Sequence, residues 1–324
     1  MYATSPPPQP LRGRHLLNVA ALEPGQIEAI LAVARSLKER RGAAALPLLR
    51  GKTLVLLFEK PSLRTRVSFE IGMHQLGGQT LFAQGNEFSI GTRETPEDAA
   101  RVLSRYADAI VIRTHADEPL ERFARAASVP VINGLSAGAH PCQALADLLT
   151  LQERFGSLKD LRVAFLGDGK NNVACSLAEA AVLSGATIHF GAPPSHRPAE
   201  AFLAHLQRLG ETTGGGARAF SSAIRAARGV DAIYTDVWTS MGEEAMAERN
   251  SAVLAPYRVN DELFGYAAAH AVFMHCLPAH RGDEVTAEVI DGPRSIVFDQ
   301  AENRMHVQKA VLLSLLTDLR GFNS

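Results

Sequence analysis

Residues 61–70 read PSLRTRVSFE and directly follow an apolar run that is typical of a buried strand. The turn from this strand into a helix carries two hydroxyl groups and two guanidinium groups, on Ser62, Arg64, Thr65 and Arg66. Backbone N–H groups at the start of a helix attract anions, and arginine adds paired charge-assisted hydrogen bonds to phosphate oxygens. A capped helix with a solvated basic turn is the alternative. The donors are denser than capping requires, so the segment indicates a phosphate site.

A second segment, AHPCQALAD (139–147), places an imidazole beside an amide. Pro141 suits the first position of a helix capped by His140, and Gln143 then lies on the same helix face. Ligands of α/β proteins bind at the carboxyl edge of the sheet, where such a helix begins. A structural histidine remains the alternative.

The segment FLGDGKNNVACSL (165–177) resembles a dinucleotide-binding loop only in part. Asn172 stands where the third glycine of that fingerprint belongs, and the next strand runs into Gly191 without an acidic residue for a ribose hydroxyl. We therefore expect no NAD site. Asn171 and Asn172, at the start of a helix, suit a carboxylate instead.

A polar turn follows the next strand but one, in TDVWTSMGEE (235–244). Asp236, Ser240 and the backbone of Met241 provide an acceptor, a hydroxyl group and an amide. Such a set can bind an α-amino group and an α-carboxylate. An ordinary helix cap remains the alternative.

Cys276 lies in FMHCLPAHRGDEV (273–285), between a buried strand and a proline. A buried, inert thiol is the common case, but the adjoining His275 favours a thiol that contacts substrate. Nucleophilic catalysis by this pair is only weakly indicated, because adjacency in sequence is not the spatial pairing it requires. The ligand spacing fits no common zinc pattern, so we expect no zinc site.

Arg304 lies in FDQAENRMH (298–306), where the preceding apolar run predicts a strand. From that position its guanidinium group could reach a site shared by the two halves of the chain. A solvated arginine is the alternative.

These segments need a scaffold, and the alternation of short apolar runs with helical stretches predicts an α/β fold with two domains. Each domain is expected to be a mostly parallel sheet flanked by helices, and bridging helices such as residues 143–156 join the two. The predicted strands are 53–59, 79–84, 108–114, 129–135, 162–169, 186–192, 230–238, 271–278 and 295–301. We predict domains at residues 1–147 and 148–305, with a C-terminal helix in 306–324 packing back on the first. Residues 23–41 are predicted to be helical, and Gly214, Gly215 and Gly216 to form a surface loop.

The composition excludes several classes of function. With 33 Lys+Arg against 34 Asp+Glu in 324 residues, the net charge of -1 gives no bulk attraction to nucleic acid. No apolar run reaches about 18 residues, so we expect neither a membrane span nor a signal peptide. Three cysteines without CxxC spacing, Cys142, Cys175 and Cys276, are typical of a reducing cytoplasm.

Taken together, the motifs resemble the aspartate/ornithine carbamoyltransferase family from about Leu16 to Leu316, in the order the family has them. SLRTR (62–66) and HPCQ (140–143) are shared by carbamoyltransferases, whereas DVWTSMGEE (236–244) and HCLPAHRGDE (275–284) are typical of the ornithine-type members.

The resemblance implies transfer of the carbamoyl group of carbamoyl phosphate to the side-chain amine of L-ornithine, giving L-citrulline and phosphate in cytoplasmic arginine metabolism. It implies that carbamoyl phosphate is bound by Ser62, Leu63, Arg64, Thr65, Arg113, His140, Pro141, Cys142, Gln143, Cys276, Leu277 and Arg304. It implies that ornithine is bound by Asn172, Asp236, Ser240 and Met241, and that the catalytic residues are Arg113, His140, Asp236 and Cys276. It also implies a homotrimer with sites at subunit boundaries, no metal or organic cofactor, and neither nucleic acid nor membrane as a partner.

One position departs from the family pattern. Ser89 stands where the family usually has a glutamine or histidine that reaches the neighbouring subunit's site, and Thr92, Arg93 or a water molecule are the candidates to replace that contact. Three alternatives stay open. They are a carbamoyltransferase for another amine, such as putrescine or an acylated ornithine, an NAD-dependent oxidoreductase, and a non-catalytic anion-binding paralogue.

Overall fold

Most of the apolar runs form strands of two parallel sheets. The structure is a computed structural model that describes residues 9–40, 47–85, 90–239 and 244–318. Its strands are β1 (Thr53–Phe58), β2 (Gln79–Gln84), β3 (Ala109–Arg113), β4 (Val131–Leu135), β5 (Arg162–Leu166), β6 (Thr187–Gly191), β7 (Gly216–Phe220), β8 (Ala232–Thr235) and β9 (Val272–Met274).

Helices connect successive strands, as parallel pairing requires. The described α-helices, which include α1 before β1 and two helices after β9, are α1 (Pro24–Glu39), α2 (Leu63–Gln75), α3 (Pro96–Leu103), α4 (Asp117–Ala126), α5 (Pro141–Phe155), α6 (Asn172–Leu183), α7 (Glu200–Gly210), α8 (Ala223–Ala227), α9 (Ala247–Leu254), α10 (Asp261–Phe264), α11 (Ala287–Ile290) and α12 (Val297–Leu316). None of the helices that the structure describes is both long and apolar enough to cross a bilayer.

The chain divides into two units. Unit 1 comprises Met1–Leu149 and Asn303–Ser324, and unit 2 comprises Thr150–Glu302. The boundaries fall within α5 and α12, so each of these helices contributes residues to both units.

Unit 1 contains the sheet β2-β1-β3-β4, in which all neighbouring strands run parallel. The central strands β1 and β3 are buried along nearly their whole length, which explains their continuous apolar sequences. Phe123 of α4 packs in one cluster with Val55 of β1 and Ile110 of β3.

Unit 2 contains the sheet β7-β6-β5-β8-β9, again entirely parallel. Ile233 of β8 and Phe273 of β9 share a core cluster with Val289 of α11. The prediction of an α/β fold with two parallel-sheet domains flanked by helices is confirmed. Because all strands of a sheet point the same way, their carboxyl ends share one edge, and most of the candidate site residues follow those ends.

The strand predicted at residues 295–301 is wrong beyond its first two residues, because only Ser295 forms a parallel bridge, with Phe273 of β9, and α12 begins at Val297. Val297 and Gln300 are buried, whereas Phe298 between them is 70% exposed. Burial that recurs after three residues is the period of a helix and not that of a strand. Arg304 therefore lies inside α12 rather than after a strand.

The surface loop predicted at Gly214, Gly215 and Gly216 is also partly wrong, because Gly216 is the first residue of β7, the edge strand beside β6. A Cβ on Gly215 would lie 2.2 Å from the carbonyl oxygen of Val182, so this approach requires glycine. The helix predicted at 143–156 is confirmed as α5, and it ends before Gly156, whose φ of 80° is left-handed.

Candidate active site

The carboxyl edge of the unit 1 sheet leads directly into α2. Ser62 caps this helix, because its Oγ accepts a hydrogen bond from the Thr65 backbone N–H at 3.4 Å. The same hydroxyl group donates to Thr65 Oγ1 at 3.0 Å. The structure therefore confirms the capped helix, and a cap of this kind does not exclude phosphate binding at the same turn.

Three distant segments of unit 1 meet at Arg304. Its Nη2 donates to Thr65 Oγ1 at 2.6 Å, and its Nη1 donates to Gln143 Oε1 at 2.5 Å. Gln143 Nε2 in turn donates to Asp147 Oδ1 at 2.8 Å. All four side chains are buried. A buried guanidinium group needs such partners, because an unpaired charge away from water is costly.

Arg113, at the end of β3, and His140, immediately before α5, are buried as well. Burial, and then the positive charges of Arg304 and Arg113, hold the pKa of His140 well below its ordinary value. The imidazole is therefore neutral at pH 7 and can donate a hydrogen bond without adding charge. The prediction that a helix begins at Pro141 beside His140 is confirmed, and the His140 carbonyl accepts the N–H of Ala144 at 3.2 Å.

The two arginine residues near the start of α2, Arg64 and Arg66, differ in their contacts. Arg66 pairs with Glu70 at 3.1 Å, and its guanidinium carbon lies 3.9 Å from the centre of the Phe82 ring. Arg64 is half-buried and forms no ion pair with any residue that the structure describes. Arg64 is therefore the better candidate for an incoming anion. The side chain of Leu63 is 75% exposed, so this residue would contribute its backbone N–H.

Cys142, within the HPCQ segment, is fully buried in unit 1. Burial raises the pKa of its thiol to about 12, although Arg304 acts in the opposite direction. It is therefore a protonated, inert thiol at neutral pH.

The carboxyl edge of the unit 2 sheet is built around Asp236, which follows β8. Its Oδ2 accepts from Asn171 Nδ2 at 3.3 Å, and its Oδ1 accepts from Cys276 Sγ at 3.1 Å. Asn171 also caps α6, because its Oδ1 accepts the Ala174 N–H at 2.7 Å. The predicted Asn172 is the first residue of α6, next to this cap. The structure thus brings Asp236, Cys276 and the asparagine pair together.

Two further residues of this edge, His275 and Glu284, were not among the predicted site residues. Both side chains are fully buried, and His275 Nε2 lies 3.2 Å from Glu284 Oε1. His275 Nδ1 accepts the backbone N–H of Leu277 at 2.9 Å, so the ring proton is on Nε2 and points to Glu284. Leu277 has a left-handed φ of 58°, which is costly for leucine and is typical of functional sites. In the sequence, the only indication of the contact between His275 and Glu284 is that a histidine follows the apolar run AVFM.

Three predicted positions, Ser89, Ser240 and Met241, lie outside the described residues. Within the described ranges, two clusters have residue types that bind metals. One consists of Asp236, His275 and Cys276, and the other of His280, Asp283 and Glu284. The first cluster coincides with the edge just described.

Comparisons with known proteins agree over both units. Residues 14–153 match the family described as "Aspartate/ornithine carbamoyltransferase, carbamoyl-P binding domain", and residues 159–315 match its "Asp/Orn binding domain". The chain is 47% identical to the ornithine carbamoyltransferase of Parafrankia sp. over 311 residues, which is 95% of this chain and 98% of the relative. It is 47% identical to the ornithine carbamoyltransferase of Bacillus subtilis over 306 residues, which is 94% of this chain and 95% of the relative. The structure of ornithine carbamoyltransferase from Pyrococcus furiosus superposes with a TM-score of 0.92 at 45% identity, covering 95% of this chain and 98% of that one.

Proposed function

The chain belongs to the aspartate/ornithine carbamoyltransferase family, and we propose that it transfers the carbamoyl group of carbamoyl phosphate to the side-chain amine of L-ornithine. The products are L-citrulline and phosphate. The observation that carries this proposal is the buried Arg304, which hydrogen bonds both Thr65 of the SLRTR segment and Gln143 of the HPCQ segment. This contact joins the two motifs that carbamoyltransferases share.

We propose that unit 1 binds carbamoyl phosphate. The phosphate would accept hydrogen bonds from Thr65, from Arg64 and from Ser62, whose hydroxyl group would turn from Thr65 Oγ1 to the ligand. The first N–H groups of α2, which have no partner inside the helix, would add further donors. The carbamoyl oxygen would face Arg113 and the neutral His140. Gln143 uses one N–H for Asp147 and keeps its second for the ligand. Cys142 and Pro141 would act through their backbone positions, since the Cys142 thiol is buried and protonated.

We propose that unit 2 binds ornithine, with the Asp236 carboxylate accepting hydrogen bonds from the α-ammonium group. Asn172 would bind the α-carboxylate, and Ser240 and Met241 remain predicted contacts. Cys276 and Leu277 are proposed to contact the reacting groups. Putrescine has no α-carboxylate, and an acylated ornithine has no α-ammonium group, so either would leave a polar partner unsatisfied. These groups favour ornithine over the other acceptors.

The reaction requires the neutral form of an amine whose ordinary pKa in water is about 10.4. A dry site near arginine residues lowers that pKa through desolvation and like charge. The amine nitrogen forms a bond to the carbamoyl carbon, the bond from that carbon to the phosphate oxygen breaks, and the departing phosphate accepts the amine proton. Arg113, His140 and Thr65 would stabilise the charge that develops on the carbamoyl oxygen. Because Cys276 donates its thiol proton to Asp236, we propose that it orients groups and forms no covalent intermediate.

We also propose a homotrimer with sites at subunit boundaries. Leu63, Val67 and Ile71 form an exposed apolar stripe along α2, and Leu81 of the edge strand β2 is exposed as well. Such a surface favours another copy of the chain as its cover. We expect a trimer mass in analytical ultracentrifugation and its loss in Val67→Glu, whereas Ile224→Glu, at an exposed site of unit 2, leaves the mass unchanged. A monomeric wild-type chain would exclude this assembly.

Three free cysteines support a cytoplasmic location.

The catalytic proposal is tested by citrulline assays with carbamoyl phosphate and a panel of amines. We expect ornithine to be used at least about 100-fold more efficiently than putrescine or N-acetylornithine, because the site pairs its polar groups only with ornithine. Equal use of putrescine would reassign the acceptor. Absence of any carbamoyl transfer would refute the proposed function.

A further inference from the structure

The turn that follows the Leu277-Pro278 segment of unit 2 holds three residues with metal-ligating side chains. His280, Asp283 and Glu284 each offer one ligand atom, and these atoms all lie within 4.8 Å of one another. Two backbone hydrogen bonds close the turn, from Asp283 N–H to the His280 carbonyl at 3.0 Å and from Gly282 N–H to the Val285 carbonyl at 2.8 Å. The three side chains are therefore presented by one short, hydrogen-bonded turn.

A second observation points to a ligand at this turn. Glu284 is fully buried, and its Oε1 accepts from the His280 backbone N–H at 2.6 Å and lies 3.2 Å from His275 Nε2. Its other oxygen, Oε2, is equally buried and has no hydrogen-bond partner among the described residues. His280 Nδ1 lies 3.8 Å from Oε2, which is within ion-pair distance but beyond hydrogen-bond distance. A buried carboxylate oxygen that accepts no hydrogen bond is costly, so this oxygen favours a positive ligand.

We propose that His280 Nδ1, Glu284 Oε2 and a carboxylate oxygen of Asp283 bind one Zn²⁺ ion. Imidazole and carboxylate ligands together favour zinc over Mg²⁺ or Ca²⁺, which prefer oxygen ligands alone. Two carboxylates balance the charge of the ion. Tetrahedral zinc with bonds of about 2.0–2.1 Å places its ligand atoms about 3.3 Å apart, so His280 Nδ1 and Glu284 Oε2 need to approach by only about 0.5 Å.

The fourth coordination position is available to a water molecule. The three residues line a cavity of about 600 Å³, whose wall also includes the carboxylate residue Glu248. The spacing His-x-x-Asp-Glu matches no common zinc pattern, and the sequence therefore predicted no zinc site. The three side chains lie close together because the chain turns between residues 280 and 285, which the spacing alone does not predict.

The experiment must separate this site from the Asp236, His275 and Cys276 cluster, which could also take up zinc. We therefore suggest Cys276→Ser as the background, because it removes the thiol ligand of that second cluster. Zinc binding to the full-length, chelator-treated protein is measured by isothermal titration calorimetry. We expect one equivalent of zinc to bind, and His280→Ala in the same background to weaken binding at least about tenfold.

His115→Ala is the matched control, because His115 is an exposed histidine that belongs to neither cluster. This variant should bind zinc like the Cys276→Ser background. Thermal unfolding in the absence of metal checks that His280→Ala folds normally. In a crystal of the Cys276→Ser protein grown with zinc, anomalous scattering should place the ion between His280 and Glu284. Zinc binding that is absent from this background, that is equally weakened by both alanine variants, or that maps to another place would overturn the proposal.

Discussion

The carboxyl edges of the two sheets follow the same structural rule and carry opposite chemistry. In unit 1, the strand ends carry the buried Arg113 and the neutral His140, and Arg304 of α12 donates hydrogen bonds to Thr65 and Gln143 in the same region. In unit 2, strand ends present the carboxylate of Asp236, held by Asn171 and Cys276. Parallel sheets determine where ligands bind, and the charge of the side chains at the edge determines which ligand binds. An anionic acyl phosphate suits the first edge and an ammonium group suits the second.

The largest expected effect is that of Arg304→Ala. It removes the guanidinium group that joins the two motifs and leaves the buried Gln143 Oε1 without this donor. We expect kcat/KM for carbamoyl phosphate to fall about 10³-fold, as for loss of a group that stabilises transition-state charge. Steady-state citrulline assays measure this change.

Arg66→Ala is the matched control for this prediction, because Arg66 pairs with Glu70 at the surface and lies over Phe82. Its kcat/KM should stay within about threefold of the wild type, as exposed ion pairs contribute little. An equal loss of kcat/KM in the two variants would contradict the proposal that Arg304 is the central cation of the carbamoyl phosphate site.

Asp236→Asn should act on the other edge. The variant loses the negative charge proposed to bind the α-ammonium group, and an amide has only one oxygen to accept from both Asn171 and Cys276. We expect the KM for ornithine to rise about 10- to 100-fold, since hydrogen bonds to charged groups contribute about 1.5–3 kcal/mol. Asp261→Asn, at an exposed carboxylate of α10, is the control and should leave this KM unchanged. An unchanged KM in Asp236→Asn would show that another group binds the ammonium.

Cysteine reactivity gives a smaller contrast between the edges. Burial raises the pKa of the Cys142 thiol to about 12, whereas Cys276 is half-buried beside Asp236. Iodoacetamide at pH 8 should therefore modify Cys276 at least about tenfold faster than Cys142 in the folded protein, because the buried Cys142 thiol is both inaccessible and protonated. Peptide mass spectrometry over time measures the two rates. Faster modification of Cys142 would contradict the buried HPCQ segment.

The smallest predicted effect concerns acid stability. Burial lowers the pKa of His15, His140 and His189 in the folded state, so only the unfolded chain gains these protons as pH falls below about 6.5. The free energy of unfolding is therefore highest above that pH and decreases towards the lowered pKa values, by at most about 1.4 kcal/mol per pH unit for each histidine. Glu284, whose pKa is also lowered, contributes only below about pH 4.5.

Urea unfolding between pH 7.5 and 5.5 isolates the histidines. His140→Gln should show a shallower dependence of the unfolding free energy on pH than the wild type. The same slope in both proteins would show that His140 takes up its proton in the folded state.

Sequence predicted the parts of the site that depend on local rules. The SLRTR and HPCQ segments follow strands and begin helices, so their positions could be derived from strand-end geometry. Arg304 was predicted as a site residue, but it was predicted to follow a strand and instead lies in α12. The run SIVF before it has the composition of a strand, whereas the burial of the residues that follow has the period of a helix.

The missed contacts depend on folding over longer distances. His275 and Glu284 meet only because the turn after Leu277 folds back nine residues along the chain. Strand β7 was missed because its first residue, Gly216, ends a run of three glycines that is typical of a loop. The segment is a strand because it pairs with β6, and no local sequence pattern predicts that pairing.

The central claim is that the two edges bind different substrates, and carbamoyl phosphate binding to the two key variants tests it most directly. Isothermal titration calorimetry should show that Asp236→Asn binds carbamoyl phosphate with the wild-type Kd, while Arg304→Ala binds it at least about 100-fold more weakly. If Asp236→Asn lost this affinity as strongly as Arg304→Ala, or if Arg304→Ala retained it, the division of substrates between the two edges would be wrong.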